Sequence, residues 1–191
     1  MKLKGIWNRF IFLIYKRQLA TCGKGVIFEM PYEIEGAKHI YLGNAIRIKP
    51  RLHIAAIDRH NGVDFDPKII IGNNVSINYD VHIACINRIE IGEGTLLGSK
   101  IFITDHFHGD TSYESLKTSP SQRILSSKGP VIIGKNVWIG EGVAIMPGVT
   151  IGDNSIIGAN SVVTQNIQPF SVVGGCPARE IKKYSVSCDI F

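Results

Sequence analysis

A branched aliphatic residue returns at every sixth position through Ile133, Ile139, Ile145, Ile151, Ile157 and Val163. The rest of the hexad recurs with it: Gly134, Gly140, Gly152 and Gly158 follow one residue later, and Val137, Val143, Val149, Ser155 and Ser161 four later. A period of six suits neither a helix face, which repeats about every 3.6 residues, nor a strand alternating without end. Short strands joined by tight corners do fit it, three hexads to a coil, which is the repeat of a parallel β-helix. Each inward Ile or Val then stacks on its equivalents above and below, contributing roughly 1.5–3 kcal/mol when fully buried. Core and hydrogen-bond ladder grow together with each added coil.

The same phase runs backward through Ile71, Ile77 and Ile83, then shifts by two residues to Ile91, Leu97 and Ile103. Phe28 and Ile34 are followed, after another two-residue slip, by Leu42, Ile48 and Ile54, with Gly43 and Ala55 in the glycine position. The spacing predicts roughly seven irregular coils between residues 21 and 167, with extra residues bulging at corners. Two insertions interrupt them, a shorter one near residues 56–68 and a longer one near 104–130. Long loops leaving a rigid stack are commonly functional. The longer one carries Asp105, His106, Phe107, His108, Asp110 and Tyr113.

At 191 residues and 45% hydrophobic content, one domain with appendages is expected. A helix over residues 1–20, apolar at Ile6, Trp7, Phe10, Leu13 and Ile14, is expected to cap the first coil, whose strand edges would otherwise stand open. Contact of this helix with a membrane surface is the alternative, and its apolar run is too short for a span. Residues 168–191 are expected to form a C-terminal tail that completes the carrier site. The net charge of +5 is concentrated at the two ends, and basic residues are not interleaved with aromatics along one face, which argues against a nucleic-acid partner. Cys22, Cys85, Cys176 and Cys188 show no close pairing, so a reducing, cytoplasmic compartment is expected, with a peripheral position at the inner membrane face as a variant.

Three segments carry a resemblance: Ile103-Thr104-Asp105-His106, the run from Ile133 to Gly140 continuing to Pro147-Gly148-Val149, and Gly174-Gly175-Cys176-Pro177-Ala178-Arg179. Over residues 71–183 the chain resembles the hexapeptide-repeat acyltransferases, in particular the sugar O-acetyltransferases and the galactoside, maltose and xenobiotic acetyltransferases. The resemblance implies an all-β, left-handed parallel β-helix, a hand that hexad spacing alone does not give. It also implies acetyl-CoA as donor, no metal, and a homotrimer with active sites shared between subunits.

Moving an acetyl group from a thioester to a hydroxyl needs a base, donors for the oxyanion and a slot for the carrier. Histidine suits the base, its unperturbed pKa being about 6.5, and His106, at the end of a coil, matches the family's catalytic histidine. Asp105 or Asp110 is a candidate to fix its tautomer, and His108 is the alternative base. For the acceptor the candidates are Asn78, Asp105, Phe107 and His108, with Tyr113 a second ring for stacking on a sugar. For the carrier they are Trp138, Gly140, Ala144, Gly158 and Ala159, whose small members are expected to leave backbone open to a pantetheine arm, and Thr164, Arg179 and Lys182 for its phosphates. Gln165 departs from the lysine that often follows the threonine in close relatives. His39, His53, His60 and His82 are given no role.

The acceptor expected is a sugar hydroxyl on a polysaccharide or its precursor. The main alternative is the amine of a nucleotide-linked amino sugar. Two readings of another class are a noncatalytic scaffold, which has no use for the His106 loop, and the zinc-dependent carbonic anhydrases on the same scaffold. The latter need three imidazoles and an open position; His82, His106 and His108 are the candidates, but the last two stand closer than that family's ligands.

Overall fold

Inward Ile, Leu and Val at hexad spacing produce strands of two to five residues, each too short to persist alone and held by its neighbours in the coils above and below. In a computed structural model that describes residue 12 and residues 15–184, the chain winds as a left-handed parallel β-helix with three flat faces. Six complete coils are followed by a partial seventh. The first face runs from Thr21–Cys22 through Ile40–Leu42, Lys68–Ile71, Arg88–Ile91 and Val131–Ile133 to Thr150–Ile151. The second face begins at Ile27–Phe28 and the third at Tyr32–Glu35.

Register turns the sequence period into three buried columns. On the first face Leu42, Ile71, Ile91, Ile133 and Ile151 stand on one another. On the second the column is Phe28, Ile48, Ile77, Leu97, Ile139, Ile157 and Val173, and on the third Ile34, Ile54, Ile83, Ile103, Ile145 and Val163. All but Ile34, which is half-buried, are almost wholly removed from solvent. Corner residues Val75, Val81, Val137, Val143 and Val149 fill the angles between columns. Where the corner residue is Thr95, Ser155 or Ser161, its hydroxyl donates to a backbone carbonyl, so no buried donor goes unmet there.

The corners after the first face demand a left-handed residue, met by Asn74, Asn136 and Asn154 at φ of 57°, 53° and 58°. Asparagine accepts that conformation with less strain than most side chains. At the start of the stack the Phe12 ring lies 4.9 Å from that of Phe28, and Leu19 joins the core. The remainder of the helix expected over residues 1–20 lies outside the described residues. At the other end Val172 and Val173 pair with Ile156 and Ile157, so the stack continues past residue 167. The antiparallel strand Arg179–Lys183 then covers the second-face edge.

The glycine of the hexad is required by coil spacing. A β-carbon on Gly72 would stand 2.8 Å from the backbone nitrogen of Glu93 and 3.1 Å from its Cα. Since neither backbone can yield without breaking ladder bonds, Gly72→Ala is expected to destabilise the fold by roughly 1–3 kcal/mol. Thermal unfolding followed by circular dichroism tests this, and an unchanged midpoint would refute it.

Candidate functional site

Both insertions leave the third face at the same corner, two coils apart, and fold toward each other. The shorter is a hairpin pairing Arg59–His60 with Val63–Asp64. The longer pairs Phe107–His108 antiparallel with Leu125–Ser126 and carries a one-turn helix, Tyr113–Leu116, capped by the Ser112 hydroxyl. They meet where Asn61 Nδ2 donates to the Ser121 carbonyl at 2.9 Å, and where the His60 and His108 rings lie edge to face, 5.7 Å apart. Beneath them, against the outer side of the third face, is a cavity of about 270 Å³ with His106 in its wall.

Asp105 and His106 leave the strand Phe102–Thr104 in opposite directions. The Asp105 side chain turns inward and is fully buried. Its Oδ1 accepts from the Ile86 amide at 2.9 Å, and its Oδ2 from the amides of Asn87 and Arg88, both at 2.8 Å, and from the Cys85 thiol at 3.2 Å. His106 Nδ1 donates to Oδ1 at 3.0 Å, with Thr104 Oγ1 3.3 Å from the same nitrogen. Burial pushes the Asp105 carboxyl upward, but the bonds from His106 and from the Ile86 and Asn87 amides outweigh it, leaving its pKa below the usual range. Burial, and then the Asp105 charge, raise the Cys85 thiol far above its ordinary value, so it stays protonated as a donor. With Nδ1 donating to Asp105, Nε2 is the ring nitrogen left for another partner, and His106, 8% exposed, lines the cavity.

The structure corrects one of the expected acceptor residues and places the others. Asp105 is not an acceptor contact: it has no solvent-facing atom and serves to position His106. Tyr113 is 74% exposed on the outside of the loop. Phe107 lies under the Lys128 ammonium, 5.5 Å from its ring centre, and is not part of the cavity wall. Asn78 sits at the corner between the second and third faces and also falls outside that wall. His108 does line it.

The expected carrier residues lie higher in the stack. Trp138 projects from the second face, 53% exposed, in register between Leu96 and Ile156. Ala144 faces outward on the third face between Phe102 and Val162. The small size of Gly140 serves coil spacing, not open backbone as expected: a β-carbon there would meet the Ala159 nitrogen at 2.7 Å. The Gly140 and Gly158 amides are spent on the carbonyls of Ile157 and Val173, both at 2.8 Å. Thr164 and Lys182 are exposed, and Arg179 borders a small cleft with Gln165 and Ala178 at the end of the stack. Within one chain these groups and the His106 cavity are not joined.

His53, His82, Phe102 and Glu35 line the cavity although no role was read for them. The sequence shows the row but not the wall: His53, His82 and Phe102 each precede an inward Ile by one residue, which puts them on one outward row. The His53 and His82 rings stack at 4.4 Å and 16°. Among the described residues, no group of three His, Cys, Asp or Glu is placed to hold a metal ion.

Residues 130–165 match the model of the bacterial transferase hexapeptide (six repeats). Over 121 residues, 61% of each chain, the sequence is 45% identical to a protein of Escherichia coli K12 provisionally named lipopolysaccharide biosynthesis O-acetyl transferase WbbJ. The alignment thus spans less than two thirds of that relative. A mutant of AntD, an N-acyltransferase from Bacillus cereus in complex with dTDP-4-amino-4,6-dideoxyglucose and coenzyme A, shares the fold with a TM-score of 0.76 at 23% identity, over 92% of this chain and 90% of that one. A hexapeptide-repeat acetyltransferase from Vibrio cholerae complexed with acetyl coenzyme A gives 0.60 at 24% identity, over 93% and 78%.

Asp105 yields a prediction that needs no assumed reaction. Asp105→Asn turns an amide nitrogen toward backbone donors, and each buried donor left unpaired costs about 1–3 kcal/mol. Because the native carboxyl is held low, its contribution is complete above about pH 4 and is lost as pH falls through the folded value. The variant is expected to be less stable at pH 7 and to lose less on acidification from pH 7 to 3. Urea unfolding across that range measures both, and parallel curves for the two proteins would refute it.

Proposed function

We propose that this chain, whose residues 130–165 match the bacterial transferase hexapeptide model, is a hexapeptide-repeat, acetyl-CoA-dependent O-acetyltransferase acting on a hydroxyl of a sugar, on a polysaccharide or its precursor. One observation carries the reading: a buried carboxylate fixes His106 Nδ1–H and leaves Nε2 free on a histidine that lines an open cavity. An imidazole oriented in this way is placed to take a proton from an acceptor hydroxyl. The named relative and the coenzyme A complexes of fold neighbours are consistent with it.

The chemistry follows from that geometry. As the acceptor oxygen bonds to the thioester carbon, its proton passes to Nε2, and the imidazolium so formed is stabilised by Asp105 across the 3.0 Å contact. Collapse of the tetrahedral intermediate breaks the carbon–sulfur bond, and Nε2 returns the proton to the departing thiolate. No covalent enzyme intermediate is required. The carrier lies along the upper coils with Trp138, Ala144, Ala159, Thr164, Arg179 and Lys182, and it reaches His106 across an interface of a homotrimer. Support for the trimer is the outward apolar row Leu96, Trp138 and Ile156, of which the first two are 39% and 53% exposed. Use of acetyl-CoA supports a cytoplasmic reaction. No helix among the described residues is long and apolar enough to cross a membrane.

Transfer to the amine of a nucleotide-linked amino sugar is the second reading, favoured by the likeness to AntD. Thiol release from acetyl-CoA, measured against paired hydroxy and amino sugars, separates the two. His106→Ala is expected to lower kcat by about 10²–10⁴, and full activity in that variant would refute the base assignment. Replacing Trp138 with Glu is expected to shift sedimentation from trimer toward monomer; a wild-type monomer at micromolar concentration would refute the shared site.

A further inference from the structure

We propose that the cavity beside His106 seats a single uncharged sugar unit, with the His53–His82 stack and Glu35 as its specificity-determining residues. The proposal rests on the sugar O-acetyltransferase reading and deepens it. Register sets Glu33, His53, His82 and Phe102 in one outward row on successive coils. The row beside it is Glu35, Ala55, Ala84 and Thr104, two carbon-poor alanines between polar ends. The result is a trough with a flat imidazole wall, a shallow alanine floor, Glu35 toward one end and His106 toward the other. At about 270 Å³ it falls just under the range usual for drug-sized ligands, about 300–1,000 Å³, which suits one ring and excludes a carrier with its phosphates.

Charge sharpens the choice. The residues lining the trough include no Lys or Arg, while Glu35 is among them and Glu33 stands in register beside His53. A phosphate or carboxylate in the trough would face a carboxylate without a compensating cation, whereas a hydroxyl donates to it. Burial, then the neighbouring His53 and His106, hold His82 below the ordinary histidine range against the opposing pull of Glu33. A neutral His82 imidazole offers one donor and one acceptor, the pattern a ring hydroxyl matches. Apart from hydrogen bonding, the stacked rings and Phe102 give an apolar surface for the C–H face of a pyranose.

The test uses the full chain, acetyl-CoA, and a panel of neutral methyl hexosides, each paired with the uronic acid of the same ring. Wild type is expected to use a neutral hexoside with kcat/KM about tenfold or more above its acidic partner, and Glu35→Gln to bring the pair within about threefold. His82→Ala is expected to raise the acceptor KM about tenfold while kcat and the acetyl-CoA KM stay within about twofold, and His82→Gln, which keeps a donor and an acceptor, to recover part of that loss. Circular dichroism establishes that each variant is folded, and Glu35→Gln, at an exposed site, reads out independently of the histidines. Measurable transfer with the acidic sugar preferred, or with ratio and KM unmoved by these changes, would overturn the proposal and leave acetyl transfer standing. Absence of thiol release with every sugar would overturn acetyl transfer itself, and the proposal with it.

Discussion

The Asp105 carboxylate is bonded at once to the turn of one coil and to the imidazole that leaves the next. Three backbone amides and a thiol converge on it from residues 85–88, and a ring nitrogen from the loop side. A charge buried without partners would be untenable, whereas one met by this many donors is stable and rigid. The corner it holds is also the root of the long insertion. Ring orientation, loop departure and coil spacing therefore depend on the same group, and none can relax separately.

Most of the architecture was legible because burial is a periodic demand. The columns running from Leu42 to Ile151, from Phe28 to Val173 and from Ile34 to Val163 follow directly from hexad phase, including its two-residue slips. His106 was legible for a different reason, its place after a strand-ending Thr104-Asp105 and its likeness to a known motif. The inward turn of Asp105 was not, since sequence cannot show whether a carboxylate at a corner meets solvent or amides from the coil below. Nor could spacing distinguish Gly140 as a packing glycine from one that exposes backbone, because both readings need only the missing side chain.

The outward rows show a second limit. His53, His82 and Phe102 occupy equivalent positions in consecutive coils, yet outward positions carry no shared burial requirement, so nothing in the period separates a solvated histidine from a cavity wall. What converts the row into a wall is the pair of insertions folding over it, held by contacts such as Asn61 to Ser121 that join residues 60 apart in sequence. Tyr113 illustrates the converse, an aromatic in the right loop that the local helix turns away.

Stacked parallel strands repeat at about 4.8 Å, and the hairpin and the long loop spring from third-face strands separated by a single plain coil. Their roots are thus held about 9.6 Å apart by the hydrogen-bond ladder, as marks on a ruler. Duplicating that intermediate coil would satisfy every buried column and add to the core, but would move the marks to about 14 Å and part the two tips. Lengthening the prism elsewhere would leave their separation intact. Growth of this fold by whole coils accordingly leaves the two tips in contact when it falls outside the ruled interval, and parts them when it falls within it.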